Sequence, residues 1–114
     1  NTKSLTPEQQ KQAEGELILN CITTSTDMIM LDESGKEYRS IEIADYVQKK
    51  MSSGRDLVFV VGGPYGFSEA VYQRANAQIS LSKMTFSHQM VRLFFVEQIY
   101  RAMTILRGEP YHHE

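Results

Sequence analysis

The chain has 114 residues, of which 41% are hydrophobic, and these values fit one compact domain and exclude a disordered tail. No run of about eighteen apolar residues occurs and no secretory leader pattern opens the chain, so we expect a cytoplasmic protein without membrane contact. A single cysteine, Cys21, excludes an internal disulfide, and the absence of clustered Cys and His predicts no metal.

The net charge of −2 hides an uneven distribution along the chain. Residues 1–69 carry seven Lys or Arg and eleven Asp or Glu, whereas residues 70–108 carry five Lys or Arg against Glu97 alone. The overall charge argues against binding nucleic acid by bulk electrostatics, but the basic segment could face a phosphate backbone. A solvated helix face would give the same distribution, and charge alone leaves both interpretations open.

The first part of the chain predicts a helix followed by a strand. Residues 6–9, Thr-Pro-Glu-Gln, are typical of a helix start with an N-cap, a proline at the first position and a partial capping box. This helix should end near Leu19. The apolar run at residues 27–32 predicts a buried strand, which we expect to end in a turn at residues 33–36.

The middle of the chain contains its clearest strand. Ser40 is predicted to cap a second helix that stops at residues 52–54. Residues 56–61 are apolar and rich in β-branched side chains, which is typical of a parallel strand covered on both faces. Alternation of strands and helices predicts an α/β fold with a mostly parallel sheet flanked by helices.

The C-terminal half predicts two further helices around a brief strand. Ser68 should cap a short helix, residues 79–82 form the strand, and Ser87 should begin a long helix that ends near Leu106. The long helix is apolar nearly all round. One row of apolar side chains includes Phe95 and Ala102, and a second row on roughly the opposite side includes Leu93, Val96 and Tyr100. One apolar face of this helix can cover the sheet. We predict that a second copy of the chain covers the other face, in a twofold homodimer. Burial of both faces within a monomer is the alternative.

A glycine-rich loop, Gly-Gly-Pro-Tyr-Gly at residues 62–66, directly follows the clearest strand. This places it at a carboxyl end of the sheet, where open α/β folds bind ligands, and glycine lets a ligand approach the backbone. The loop matches neither the dinucleotide fingerprint nor the phosphate-binding P-loop. A tight turn without a ligand would also need glycine, so the loop alone does not decide between these functions.

Two further segments carry side chains suited to chemistry. His88 and Arg92 lie four residues apart near the start of the long helix, although a lone helical histidine is more often structural. The tail ends in Tyr111, His112 and His113, and an aromatic group with titratable neighbours after a proline indicates a docked functional tail. No Ser/His/Asp site can be recognised.

The order and spacing of these segments resemble the family of ribosomal RNA large subunit methyltransferases H. The resemblance is carried by the glycine loop after its strand, by residues 79–88 (Ile-Ser-Leu-Ser-Lys-Met-Thr-Phe-Ser-His), by residues 97–102 (Glu-Gln-Ile-Tyr-Arg-Ala) and by the Pro-Tyr-His tail. It extends back to Met30, Leu31 and Asp32. The resemblance implies a SPOUT fold with a C-terminal trefoil knot and a homodimer that uses S-adenosyl-L-methionine to methylate N3 of a pseudouridine in ribosomal RNA.

The resemblance also implies the site residues. Backbone amides and carbonyls would recognise the adenine and ribose of the cofactor, which would contact these residues: Leu31, Gly62, Gly63, Leu81, Ser82, Lys83, Met84, Thr85 and Phe86. His112 would act as base or orienting group, and Tyr111 would help to dock the substrate. Arg92, Arg101 and His88 would contact ribosomal RNA or the ribosome.

The sequence departs from the family pattern at two places. His113 stands where family members usually have a basic residue, which would weaken a contact to RNA at neutral pH. The family's usual first strand, loop and helix would precede Asn1, so we expect the single domain, residues 1–114, to be incomplete at its N-terminus. The alternatives are a SPOUT enzyme that acts on transfer RNA and a noncatalytic, ribosome-associated module that binds nucleotides.

Overall fold

The structure, a computed structural model, describes residues 5–62 and 65–113, without the side chain of His88. Gly63 therefore lies outside the described residues. Helices and strands alternate in the order α1 (Pro7–Asn20), β1 (Thr26–Glu37), α2 (Ser40–Ser52), β2 (Asp56–Val61), α3 (Glu69–Arg74), β3 (Ala77–Ser80) and α4 (His88–Leu106).

The helix starts follow local capping chemistry. Thr6 and Gln9 form the complete capping box of α1, and Ser68 and Ser87 cap α3 and α4 through their side chains, as predicted. The prediction that Ser40 caps α2 is wrong. Arg39 occupies the N-cap position, where its backbone N–H donates to the Glu42 carboxylate at 2.7 Å.

The three strands form a parallel sheet in the order β2-β1-β3, which confirms the predicted α/β architecture. The central strand is buried throughout residues 26–31. β2 is an edge strand of the sheet described here, and Val60 is its one buried residue. Side chains of β2 contact the cores on both faces, with Val58 and Val60 on one face and Leu57, Phe59 and Val61 on the other. The strand is therefore covered on both faces but only partly buried.

The predicted turn at residues 33–36 is instead an irregularity inside β1. Leu31 and Lys36 both pair with Ile79 of β3, so the intervening residues bulge out and the strand then resumes. Gly35 makes this possible, because a Cβ at its position would lie only 2.6 Å from the carbonyl carbon of Gln78. Asp32 and Glu33 lie in this bulge, beyond Leu31 and Val61, the last pair between β1 and β2.

Helices cover both faces of the sheet. Helices α1 and α3 pack on one face around Met28, Met30 and Val71, while α2 and α4 pack on the other face around Ile29 and Ile79. This arrangement agrees with the helix-flanked parallel sheet expected from the sequence. The C-terminal trefoil knot stays a prediction.

The amino ends of the strands are closed by charged groups. The Asp27 carboxylate, which is largely buried, accepts from Lys50 Nζ at 3.0 Å and from Arg55 Nε at 2.7 Å. These hydrogen bonds hold the pKa of Asp27 below its usual range. Arg74 donates to the carbonyls of Thr23 and Thr26 beside them. The polar groups at this edge thus satisfy one another.

Candidate functional site

A cavity of about 460 Å³ lies at the carboxyl edge of the sheet, and we call it the edge cavity. Its walls come from the bulge of β1, the loop after β2 and the segment between β3 and α4. Because parallel strands end on the same side, all three segments reach the cavity from one direction. Six of the nine predicted cofactor residues line it: Leu31, Gly62, Leu81, Ser82, Met84 and Phe86.

Glycine forms one wall of the edge cavity. A Cβ at Gly62 would lie 3.2 Å from the ring of Phe67, and any longer side chain would extend from there. Gly66 has a φ of +82°, a backbone conformation that side chains disfavour. The wall therefore exposes backbone to whatever occupies the cavity.

The opposite wall is the segment at residues 81–86, which is tied to the bulge of β1. Lys83 Nζ donates to the carbonyls of Glu33 and Gly35 at 3.2 and 3.1 Å, and Thr85 donates to the Glu33 carboxylate at 3.3 Å. The side chains of Lys83 and Thr85 point to the bulge, where they hold the segment in place. The prediction that this segment contacts the cofactor through its backbone stays a prediction.

Two carboxylates stand at the rim of the edge cavity. Asp32 and Glu33 both line it, and the Ser34 hydroxyl donates to Asp32. Carboxylate oxygens accept hydrogen bonds from hydroxyl groups and attract cations. The resemblance included Asp32, but the sequence analysis gave neither carboxylate a role, although an acidic pair after the apolar run was the available signal.

A second cavity of about 490 Å³, which we call the aromatic cavity, adjoins the first. Both cavities are lined by Leu31, Leu81, Ser82, Phe86 and Phe94. The rings of Phe86 and Phe94 pack edge to face, with their centroids 5.2 Å apart. Gly62 and Met84 line the edge cavity but not the aromatic cavity. The edge cavity therefore matches the predicted cofactor residues better.

The tail is docked on the C-terminal half of α4. Tyr111 Oη donates to the Glu97 carboxylate at 2.9 Å, and Arg101 Nη2 donates to the same carboxylate at 2.8 Å. Arg101 Nη1 lies 3.0 Å from His112 Nδ1, and its guanidinium stands 4.9 Å from the centroid of the Tyr111 ring. The Tyr111 ring also meets Tyr100 edge to face. We call Glu97, Arg101, Tyr111 and His112 the tail clamp.

Hydrogen bonding within the tail clamp shifts two pKa values. The Arg101 guanidinium, and then the Tyr111 hydroxyl, lower the pKa of Glu97. The Glu97 carboxylate raises the pKa of Tyr111 by holding its proton. Both shifts favour an ionised Glu97 beside a protonated Tyr111, which is the state that the contacts require.

The structure does not bring the tail to the edge cavity of the same chain. Tyr111 and His112 line neither cavity, although Glu97 lines the aromatic cavity. Arg101 lies seven residues beyond Phe94, which corresponds to about 10 Å along the helix axis. Cofactor and catalytic candidates are therefore separate within one chain.

The candidate RNA contacts fall in different places. Arg92 is exposed and lines a cavity of about 380 Å³ between α1, α3 and the glycine loop. Arg101 belongs to the tail clamp, and its guanidinium is engaged there. His88 begins α4, and its side chain lies outside the described part of the chain. Glu97 and Arg101 lie four residues apart, a spacing that favours the observed ion pair on a helix. No sequence pattern indicates the bond from Tyr111 to Glu97.

Neither a metal centre nor a membrane span is present in the described part of the chain. No group of three or more His, Cys, Asp or Glu side chains within residues 5–62 and 65–113 is arranged to hold a metal ion. Among the helices of these two ranges, none combines the length and the apolar character needed to span a membrane.

The chain is an α/β protein with a glycine-lined cavity at the carboxyl edge of its parallel sheet, which is where open α/β proteins commonly bind small molecules. Comparison with known families narrows this class. The family described as "Predicted SPOUT methyltransferase" matches residues 1–112. The chain belongs to the SPOUT methyltransferase family, and this confirms the fold expected from the sequence.

Curated relatives are similar over the whole chain. A protein named ribosomal RNA large subunit methyltransferase H from Bacteroides thetaiotaomicron is 66% identical, and the alignment covers 100% of this chain and 73% of that protein. Proteins of the same name from Christiangramia forsetii and Flavobacterium johnsoniae are 61% and 58% identical, covering 98% and 100% of this chain and 72% and 73% of theirs. The resemblance seen in the sequence is thereby confirmed.

Proposed function

We propose that this protein uses S-adenosyl-L-methionine to methylate N3 of a pseudouridine in large-subunit ribosomal RNA, in the cytoplasm and on the assembled ribosome. The observation that carries the proposal is the edge cavity, which six of the predicted cofactor residues line. The chain also belongs to a family of methyltransferases. The names of the relatives support ribosomal RNA as substrate.

The residues of the edge cavity fit the proposed cofactor. Leu31, Leu81 and Phe86 provide apolar surface for a purine ring, and the bare backbone at Gly62 can bind its edge. Asp32 and Glu33 at the rim suit ribose hydroxyls and the positive charges of the amino acid and sulfonium groups. The volume of about 460 Å³ lies within the usual range of small-molecule sites.

The chemistry requires positioning above all. When bound, S-adenosyl-L-methionine would supply a methyl group on a positively charged sulfur, which keeps the C–S electron pair as the leaving group. N3 has to give up its proton to the solvent before it accepts that methyl group. The protein must hold N3 in line with the methyl carbon, and such alignment accounts for a large share of the rate in transfer reactions. Lys83 and Thr85 contribute by fixing one wall of the cavity to β1.

Mass spectrometry of nucleosides tests the proposal. Nucleosides are prepared separately from ribosomal and transfer RNA of cells with the gene and of cells without it. We expect one methylated pseudouridine to be present in large-subunit RNA of cells with the gene and absent when the gene is removed, with transfer RNA unchanged. Loss confined to transfer RNA would favour the first alternative. Calorimetric titration of the full-length protein with S-adenosyl-L-methionine separates the second alternative, because a noncatalytic module with no affinity for the cofactor would release no heat.

We also propose that two chains pair through α4, so that the tail of one serves the edge cavity of the other. Leu93, Val96 and Tyr100 on this helix are 60%, 65% and 52% exposed. In a twofold antiparallel pair, the C-terminal half of one α4 lies beside the N-terminal half of its mate. That pairing would bring His112 toward the cavity from which it is separated within its own chain.

The variant Val96→Glu tests the pairing. We expect it to elute as a monomer in size-exclusion chromatography with light scattering, and to lose methylation, because a carboxylate in an apolar interface is costly to desolvate. Leu17→Glu is the matched control, since Leu17 is 70% exposed on α1 and should leave the dimer mass unchanged. A wild-type protein that is monomeric at micromolar concentration would contradict the proposal.

A further inference from the structure

The contact between Arg101 and His112 determines where the imidazole carries its proton. Arg101 Nη1 lies 3.0 Å from His112 Nδ1. A guanidinium has only N–H donors and stays protonated, so Nδ1 must be the acceptor. A neutral imidazole has one acceptor nitrogen and one N–H, and its proton therefore resides on Nε2.

Glu97 fixes the guanidinium that makes this contact. Its carboxylate accepts from Arg101 Nη2 at 2.8 Å and from Tyr111 Oη at 2.9 Å, so one group orients both the arginine and the tail. The Tyr111 ring lies against the guanidinium on another side. Arg101 is thereby held with Nη1 directed at Nδ1, and the histidine is bound through its basic nitrogen.

We propose that Glu97 and Arg101 are positioning residues that hold His112 in its Nε2–H tautomer, so that His112 acts on the target base as a hydrogen-bond donor and not as a general base. The inference rests on the proposed function. It chooses between the two roles, base or orienting group, that the sequence left open for His112.

A donor suits this reaction. N3 of a uracil ring lies between two carbonyl groups, and when its proton departs to water the negative charge spreads onto their oxygens. The nitrogen then forms the bond to the methyl carbon while the C–S bond breaks and its electron pair stays on sulfur. An N–H directed at one of these oxygens stabilises the charge as it develops and orients the ring.

Two replacements of His112 separate a donor from a base. Glutamine can place an amide N–H near the position of Nε2–H but cannot accept a proton at neutral pH. We expect His112→Gln to retain kcat/KM to within about tenfold and His112→Ala to lose about 100-fold, the effect typical of removing one charge-stabilising donor. Equal losses in the two variants would identify a base and overturn the inference, as would full activity in both.

The tautomer itself can be measured without substrate or cofactor. Nitrogen-15 NMR of the full-length protein at pH 8 should show the Nε2–H form of His112, assigned by the signal missing from His112→Gln. Arg101→Gln should shift the population toward the Nδ1–H form, while Arg101→Lys, which still donates, should preserve Nε2–H. Glu97→Gln should move the population in the same direction as Arg101→Gln.

Arg107→Gln is the matched control, because Arg107 is also on the C-terminal side of α4 and pairs with an exposed Glu109 at 2.8 Å. It should leave the tautomer of His112 unchanged. An Nδ1–H form in the wild-type protein would overturn the inference whatever the activity. A wild-type protein with the Nε2–H form that methylates no ribosomal RNA would refute the proposed function instead, so the two failures are distinguishable.

Discussion

Replacing Gly35 by alanine should lower the free energy of unfolding by about 2–3 kcal/mol and should also weaken binding of the cofactor. The added Cβ would lie 2.6 Å from the carbonyl carbon of Gln78 and 2.7 Å from the amide nitrogen of Ile79. Both atoms belong to the backbone of β3, so neither can rotate away, and β1 must shift from β3. Overpacking of this kind costs about 1–3 kcal/mol, and here it also strains the pairing of the central strand.

Urea unfolding of Gly35→Ala measures the loss, and calorimetry with S-adenosyl-L-methionine measures the effect on the site. Gly54→Ala is the control for loss of a glycine. Gly54 has a φ of +78°, and a Cβ there would have no neighbour within 4 Å, so only backbone strain of about 1 kcal/mol is expected. Equal stability of the two variants would show that contact with β3 is not what requires glycine at position 35.

Replacing Gly62 by valine should reduce the affinity for S-adenosyl-L-methionine by about 100-fold, which corresponds to about 2.7 kcal/mol. The new Cβ would start 3.2 Å from the Phe67 ring. The two methyl groups beyond it would then occupy the edge cavity or push Phe67 aside. Either result removes the exposed backbone that we propose to contact the cofactor.

Calorimetry of Gly62→Val is best compared with Gly54→Val. The control carries the same side chain and loses stability through its positive φ, but it lies at the end of α2 and should bind the cofactor normally. Unchanged affinity in Gly62→Val would place the cofactor elsewhere, with the aromatic cavity as the next candidate.

Local chemistry made the helices predictable. The Thr6 and Gln9 capping box, and the hydroxyls of Ser68 and Ser87, act within three residues of the helix start, so a short window of sequence contains the whole signal. The irregularity in β1 could not be predicted in this way. A Ser-Gly pair after an apolar run is equally typical of a turn, and only the second pairing of β1 with Ile79, 43 residues away from Lys36, shows that the strand resumes.

Part of the candidate site could likewise be predicted from the sequence, and part could not. Gly62 and the segment at residues 81–86 were found because their order along the chain resembles a family, and spacing alone would not have given a ligand. The roles of Lys83 and Thr85 depended on the folded position of Glu33, 50 and 52 residues away. The bond from Tyr111 to Glu97 spans 14 residues and requires the tail to turn back along α4. A knot depends on the path of the whole chain and leaves no periodic pattern.

The bond between Lys83 and the bulge of β1 has a consequence for engineering this site. Because the ammonium group binds the carbonyls of residues 33 and 35, the acidic rim and the segment at residues 81–86 form one mechanical unit anchored on the central strand. A library that varies the length or sequence of either wall alone would break that unit. Redesign of the proposed cofactor preference therefore has to replace the acidic rim and the segment at residues 81–86 together, while Gly35 is left unchanged.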